Sequence, residues 1–146
     1  EGVVTKLFRR RSASKMVLIE DVIKLSYRFK DERGKTELVD KIANELGISN
    51  GRVEAAIRTL IGKDLMSRTN GSYILTDDGV KYALRLVRTH RLWETYVTRE
   101  NVLDLEHIHP EAEKVEHVLT EDMVDELDEE LGFPEKDPHG SEIPRK

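Results

Sequence analysis

The stretch that decides the fold runs from Glu37 to Leu75, ELVDKIANELGISNGRVEAAIRTLIGKDLMSRTNGSYIL. From about Glu37 to Leu46, the apolar residues Leu38, Val39, Ile42, Ala43 and Leu46 recur at helical spacing. Gly47-Ile48-Ser49 interrupts them. A glycine reaches the left-handed conformation that ends a helix, and Ser49 or Asn50 can cap the next one. That second helix carries Val53, Ala56, Ile57, Leu60 and Ile61 on one stripe. A short helix, a glycine turn and a second helix form the pattern of a helix-turn-helix. From residue 65 the period changes. Leu65-Met66-Ser67-Arg68 and Ser72-Tyr73-Ile74-Leu75 flank Asn70-Gly71, a dipeptide suited to a two-residue hairpin turn because it tolerates positive φ at both positions. Two short strands placed after a helix-turn-helix make a wing.

Upstream of this stretch, residues 16–32 read as a helix with Val17, Leu18, Val22, Ile23, Leu25, Ser26 and Phe29 on a broad apolar face, broken at Gly34. Residues 1–15 hold Lys6, Arg9, Arg10, Arg11 and Lys15. A chain that opens on Glu1 rather than Met is expected to be a piece of something longer. Downstream, Thr76 caps a long helix with Asp77 and Asp78 in its first turn, running to about Glu100 through Ala83, Leu84, Val87, Leu92 and Tyr96. Pro110 opens a helix over 110–119, and Thr120 caps another over about 121–131, which Gly132 and Pro134 end. Asp137-Pro138-His139-Gly140 reads as a turn. The expected fold is therefore mainly α with a small β wing: a basic leader over 1–15, a winged helix-turn-helix over 16–80 and a helical region over 81–146.

Composition narrows the functional classes. There is no cysteine in the 146 residues, so disulfides and thiolate metal ligation are both excluded. No apolar run approaches the roughly 20 residues that span a bilayer, and no signal peptide is visible, so a cytoplasmic location is expected. The net charge of -5 hides an asymmetry. Residues 1–99 carry 20 Lys/Arg against 13 Asp/Glu, a net of +7, whereas residues 100–146 carry 4 against 16, a net of -12. A basic front can face nucleic acid or an anionic membrane, and an acidic back with histidines can hold cations.

The residues that carry chemistry lie in that back half and the helix leading into it. His90 and Glu94 are four apart and share a helix face. His109, Glu113, Glu116 and His117 fall along one rim of the next helix. Imidazoles and carboxylates on neighbouring helices can fill a five- or six-ligand shell, and their nitrogen and oxygen donors suit Mn(II), Fe(II), Co(II), Ni(II) and Zn(II). For any one of these residues the bland alternative, a solvated acidic helix with surface histidines, is the better account; the six in register favour metal. His107 reads as a solvated loop histidine and His139 as a residue that caps or packs.

The strings His90-Arg91-Leu92-Trp93-Glu94, His109-Pro110-Glu111-Ala112-Glu113-Lys114-Val115-Glu116-His117 and Asp137-Pro138-His139-Gly140-Ser141-Glu142-Ile143-Pro144 resemble the diphtheria-toxin-repressor and manganese-transport-regulator family over about residues 16–144. The resemblance implies a winged helix-turn-helix joined to a metal-binding dimerisation region, in which metal favours a homodimer that docks on double-stranded operator DNA. It implies two neighbouring metal sites, one from His90, Glu94 and His109 and the other from Glu113, Glu116 and His117. Asp21 aligns as the ligand from the first helix. Glu113 stands where iron-type members have Cys and manganese-type members have Glu, which favours a harder ion such as Mn(II). Lys24 departs from the pattern, standing where manganese-type members have a second acidic ligand. The third domain of some iron-type members is expected to be absent, since the chain stops just after Ile143-Pro144.

For DNA, the second helix offers Asn50, Arg52 and Arg58, with Arg68 in the wing as basic support. Glu54, Ala55 and Ala56 are expected to face DNA or its edge. Trp93 and the leader Leu7-Phe8-Arg9-Arg10-Arg11 carry a second resemblance, to the soluble extension fused to some metal ABC-transporter permeases, where arginines just past a last membrane span obey the positive-inside rule. Three functions follow: a metal-activated repressor of metal uptake, a metal-sensing domain of a permease that acts on transport, and a metallohydrolase, which ranks last because no separate base or substrate pocket is identifiable. The apolar residues Val115, Val118, Leu119, Met123, Val124 and Leu127 are expected to want a partner surface.

Overall fold

The computed structural model describes residues 3–31, 34–100 and 119–145, with side chains from residue 15 onward. The chain divides into two compact units, Glu1–Ala83 and Leu84–Lys146.

In the first unit, α1 spans Val3–Arg28, α2 spans Lys35–Leu46 and α3 spans Asn50–Gly62; β1 (Met66–Thr69) and β2 (Ser72–Leu75) precede the start of α4, Asp77–Arg99. α1 differs from the expectation at both ends. It begins at Val3 rather than near residue 16, because no glycine or proline interrupts 3–28 and Lys, Arg, Leu and Ala favour the helix. It stops at Arg28, and Phe29 and Lys30 close it with N–H bonds to the carbonyls of Leu25 and Tyr27. The basic leader is thus helical from Val3 onward.

α2 ends as its glycine dictates. Gly47 has φ 66, and the N–H groups of Gly47 and Ile48 both reach the Ala43 carbonyl. Ser49 caps α3, its hydroxyl accepting from the Arg52 N–H. Val53, Ala56, Ile57 and Leu60 of α3 turn inward with Leu38, Val39, Ile42 and Ala43 of α2 and Val22 and Ile23 of α1. α1 packs on α3, α2 and β2, so one apolar core joins the three helices and the wing. The hairpin pairs Met66 with Leu75, Ser67 with Ile74, Arg68 with Tyr73 and Thr69 with Ser72. At its tip Asn70 (φ 47) and Gly71 (φ 75) are both left-handed, as a two-residue hairpin turn requires. The Lys35 N–H donates to the Gly71 carbonyl, tying the wing tip to the start of α2.

Thr76 joins wing to helix. Its hydroxyl donates to the Asp64 carbonyl at 2.8 Å and accepts from the Gly79 N–H at 3.0 Å.

In the second unit, the later part of α4 packs with α5 (Glu121–Glu130) and the tail around Leu92, Val124, Leu131 and Ile143, flanked by Tyr96, Leu119 and Leu127. Thr120 caps α5 by accepting from the Met123 N–H. Leu119, Val124 and Leu127, expected to seek an outside partner, are instead used within this unit; Met123 stays exposed. The helix expected over 110–119 lies, up to residue 118, outside the described residues. A buried ion cluster fixes α5 to α4. The Arg88 guanidinium reaches Asp125 at 3.0 Å and Asp128 at 2.9 Å, and Arg145 joins Asp128 at 2.7 Å and donates to the Pro134 carbonyl.

Candidate metal centre and nucleic-acid face

α4 carries the candidate metal residues that fall within the described chain. Its apolar face, Leu92 and Val97, is fully or almost fully buried. His90 and Glu94 sit one helical turn apart on α4, and their side chains are 11% and 2% exposed. His90 Nε2 lies 2.7 Å from Glu94 Oε1. A carboxylate at this burial is held in place only with polar partners, because an isolated ionised carboxylate in low dielectric is very costly. The threonines around the pair return their hydroxyls to the helix: Thr89 to the Arg85 carbonyl, Thr95 to Arg91 and Thr98 to Glu94. These three hydroxyls are thereby satisfied within the helix.

Glu94 also faces the tail. Its Oε2 lies 3.7 Å from His139 Nε2. His139 is expected from its place in the tail turn to cap or pack. The capping is instead done by Asp137, whose Oδ1 accepts from the N–H groups of His139 and Ser141. The only sequence signal was the Asp137-Pro138-His139-Gly140 string itself, and it does not reveal which helix the turn lands on.

Asp21 is half-buried on α1 in the first unit, next to Glu20, which is 6% exposed. Lys24 is half-buried on the same helix. His109, Glu113, Glu116, His117 and His107 lie outside the described residues. Among the described residues no three His, Asp or Glu side chains are gathered closely enough to form a ready cage. The donor types present, a buried carboxylate and imidazoles without any thiol, do suit a divalent first-row ion.

On the candidate nucleic-acid face, Arg52 and Arg58 are exposed on α3, on the side away from the Val53–Ala56–Ile57–Leu60 stripe. Glu54 and Ala55 are exposed with them. Ala56 corrects its expectation: it is 4% exposed and belongs to the core, three residues from Val53 and four from Leu60 on the buried stripe. Asn50 is exposed, but its side-chain amide donates to Asp40 Oδ1 at 2.7 Å and so links α3 to α2. Arg68, on the wing, lies over the Tyr73 ring, its guanidinium carbon 5.7 Å from the ring centroid.

Residues 76–145 match the family described as iron dependent repressor, metal binding and dimerisation domain. The chain is 31% identical over 115 residues to the iron-dependent repressor IdeR of Mycobacterium tuberculosis, an alignment covering 78% of this chain and 50% of that protein. A solved manganese-dependent transcriptional repressor in complex with manganese superposes with a TM-score of 0.75 at 33% identity, covering 87% of this chain and 58% of that one. In sequence and in fold the chain is thus similar to the diphtheria-toxin-repressor and manganese-transport-regulator family. The winged helix-turn-helix of the first unit, with α2 and α3 as its helices and β1–β2 as its wing, agrees with that likeness. The chain is also 40% identical over 87 residues to a probable metal transport system membrane protein of Chlamydia trachomatis, over 60% of this chain and 19% of that protein. It thus spans about half the length of the iron-dependent repressors it matches and about a fifth of the transport protein. No helix among the described residues is long and apolar enough to cross a membrane.

Proposed function

We infer that this chain is a divalent-metal sensor of the repressor type, in which bound metal favours a homodimer that places α3 in the major groove of operator DNA and represses metal uptake. The observation that carries the reading is the buried His90–Glu94 pair, held at 2.7 Å within the segment that matches the metal-binding and dimerisation family. A regulatory role is supported by the relatives and solved structures named as repressors and regulators.

The ligand set follows the resemblance. His90, Glu94 and His109 supply one site, and Glu113, Glu116 and His117 the other, with Asp21 contributed by α1. The ion is Mn(II) before Fe(II), Zn(II), Co(II) or Ni(II). The donors are all nitrogen and oxygen, and Glu113 replaces the softer cysteine of iron-type members. Once bound, the ion neutralises part of the acidic half of the chain. Arg52, Arg58 and Arg68, all exposed, would meet phosphates or base edges, while Asn50 serves as much to brace α3 on α2. The test is a fluorescence-anisotropy titration of DNA taken from upstream of metal-uptake genes, with and without Mn(II). Metal-dependent, salt-sensitive, sequence-specific binding is expected; metal binding by calorimetry without any such DNA binding overturns the repressor output.

That second outcome would favour the other reading, a metal-sensing extension of a transport protein that acts on transport. Its specific support is the 40% identity to the chlamydial membrane protein, higher than the identity to the repressors.

A further inference from the structure

Several basic side chains of the first unit lie over aromatic rings. Arg28 and Lys41 lie over Phe29, Lys30 lies over Tyr27, and Lys35 and Arg68 both lie over Tyr73. The Tyr73 group differs from the others. Arg28 is already spent on Glu45, at 3.3 Å, and Tyr27 holds a single cation. Tyr73 gathers two, the Lys35 Nζ at 5.4 Å from the ring centroid and the Arg68 guanidinium carbon at 5.7 Å, and among the described residues neither is in an ion pair.

The backbone fixes all three residues. Arg68 and Tyr73 are directly opposite in the hairpin register, so their side chains leave the wing on the same face. Lys35 opens α2, and its N–H donates to the Gly71 carbonyl at 3.2 Å, which ties it to the wing tip. Tyr73 is half-buried and lines a cavity with Tyr27, Leu38, Met66 and Val80, so the ring is anchored in the unit it decorates. Arg68 is exposed and Lys35 half-buried. Two like charges drawn to one ring repel each other, and the negative face of the ring offsets part of that repulsion. Positive charge gathered in this way, without an acidic partner, is complementary to an anion.

We propose that Lys35 belongs to the DNA interface and that Tyr73 is its positioning residue: the ring holds Lys35 and Arg68 as one cationic pair, which the wing lays on a backbone phosphate of the duplex. This rests on the DNA-binding reading above. The ligand is a phosphate rather than a base edge because both cations lie outside α3, the helix assigned to the major groove. The lysine ammonium is moreover a point charge without the planar fork that reads a base. Contacts of this kind set the register of a protein on DNA and carry no sequence information. The ring supplies preorganisation, since two long side chains held beforehand lose less freedom on binding.

The test is fluorescence anisotropy of the whole chain with Mn(II) on DNA from upstream of metal-uptake genes, over a series of salt concentrations. Lys35→Gln is expected to weaken binding about three- to tenfold and to lower the slope of log affinity against log salt by about 0.9. The loss should be the same on a scrambled duplex. Tyr73→Leu should give a similar loss, and adding Lys35→Gln to it should change little more, because the ring and the cation act as one unit; a ring that only supported the fold would give additive losses. Tyr73→Phe keeps the ring face and should bind like the parent; binding as weak as that of the leucine variant overturns the role of the ring. In the metal-free parent, the side-chain protons of Lys35 and Arg68 should show the upfield shifts of protons held over a ring. Their absence overturns the pair even if Tyr73→Leu does not fold. If Lys35→Gln keeps the parental affinity and slope while Arg52→Ala loses affinity, DNA binding stands and Lys35 is not in the interface. If the parent binds no DNA, both fall together.

Discussion

Gly79, in the first turn of α4, lies directly against the carbonyl of Leu65: a Cβ at Gly79 would stand 1.9 Å from that oxygen and 3.2 Å from Leu75 Cδ2. The wing and α4 meet here backbone to backbone, and the Leu65 carbonyl also accepts from the Thr76 N–H. In an open helix, Gly→Ala would gain about 1 kcal/mol. Here the backbone must move, and overpacking of this kind costs about 1–3 kcal/mol or more. Gly79→Ala is expected to lower the urea midpoint with an unchanged slope. A variant as stable as the parent would show that the approach is not this close.

The ion cluster at Asp128 should be unequal in its members. Arg88 and Asp128 are 7% and 5% exposed, so Asp128→Ala leaves a buried guanidinium without its main partner, at a cost of about 3–5 kcal/mol. Arg145 is 45% exposed, and Arg145→Ala should cost no more than about 1 kcal/mol after solvent screening. Equal losses in denaturant melts of the two variants would contradict the burial difference.

On α3 and the wing, Arg52→Ala, Arg58→Ala and Arg68→Ala are expected to leave stability unchanged, since the three side chains are exposed. Each should weaken DNA binding. Where the arginine meets a phosphate, the slope of log affinity against log salt should fall by about 0.9. Where it meets a guanine edge, about 1–3 kcal/mol of discrimination at one base pair should be lost instead. Anisotropy at several salt concentrations separates the two, and three variants with parental affinity would remove α3 from the interface.

Glu94→Gln keeps the shape of the side chain and its contact with His90 but removes the negative charge. Mn(II) affinity should fall by more than about tenfold. Glu116→Ala with His117→Ala should abolish tight Mn(II) binding altogether. Calorimetry decides both, and unchanged affinity in the double variant would refute the ligand assignment.

The helix-turn-helix and its wing were legible in the sequence because everything that specifies them is local. Gly47 and Ser49 close and cap their helices within a few residues, Asn70-Gly71 supplies the two left-handed positions of the turn, Thr76 accepts from the Gly79 N–H three residues on, and the stripe from Val53 to Leu60 repeats within three turns. Periodicity placed Ala56 on the buried stripe where it lies, and only the expectation that it also edges the DNA face fails; the helix of the basic leader extends beyond the expected 16–32.

Of the candidate metal-binding pattern, Asp21, His90 and Glu94 fall among the described residues. A spacing of four placed His90 and Glu94 on one face, and the pair is found at 2.7 Å. That the pair is buried was not readable, since burial depends on what packs over α4.

What the sequence by itself determined about this protein is its run of short-range elements and the choice of nitrogen and oxygen donors over sulfur. Only the tertiary structure decided which distant groups meet. Arg88 and Asp128 are 40 positions apart, Gly79 fits beneath Leu65, and His139 lands beside Glu94. Each of these contacts depends on how whole elements pack, and helical or strand periodicity carries no information about a partner on another element.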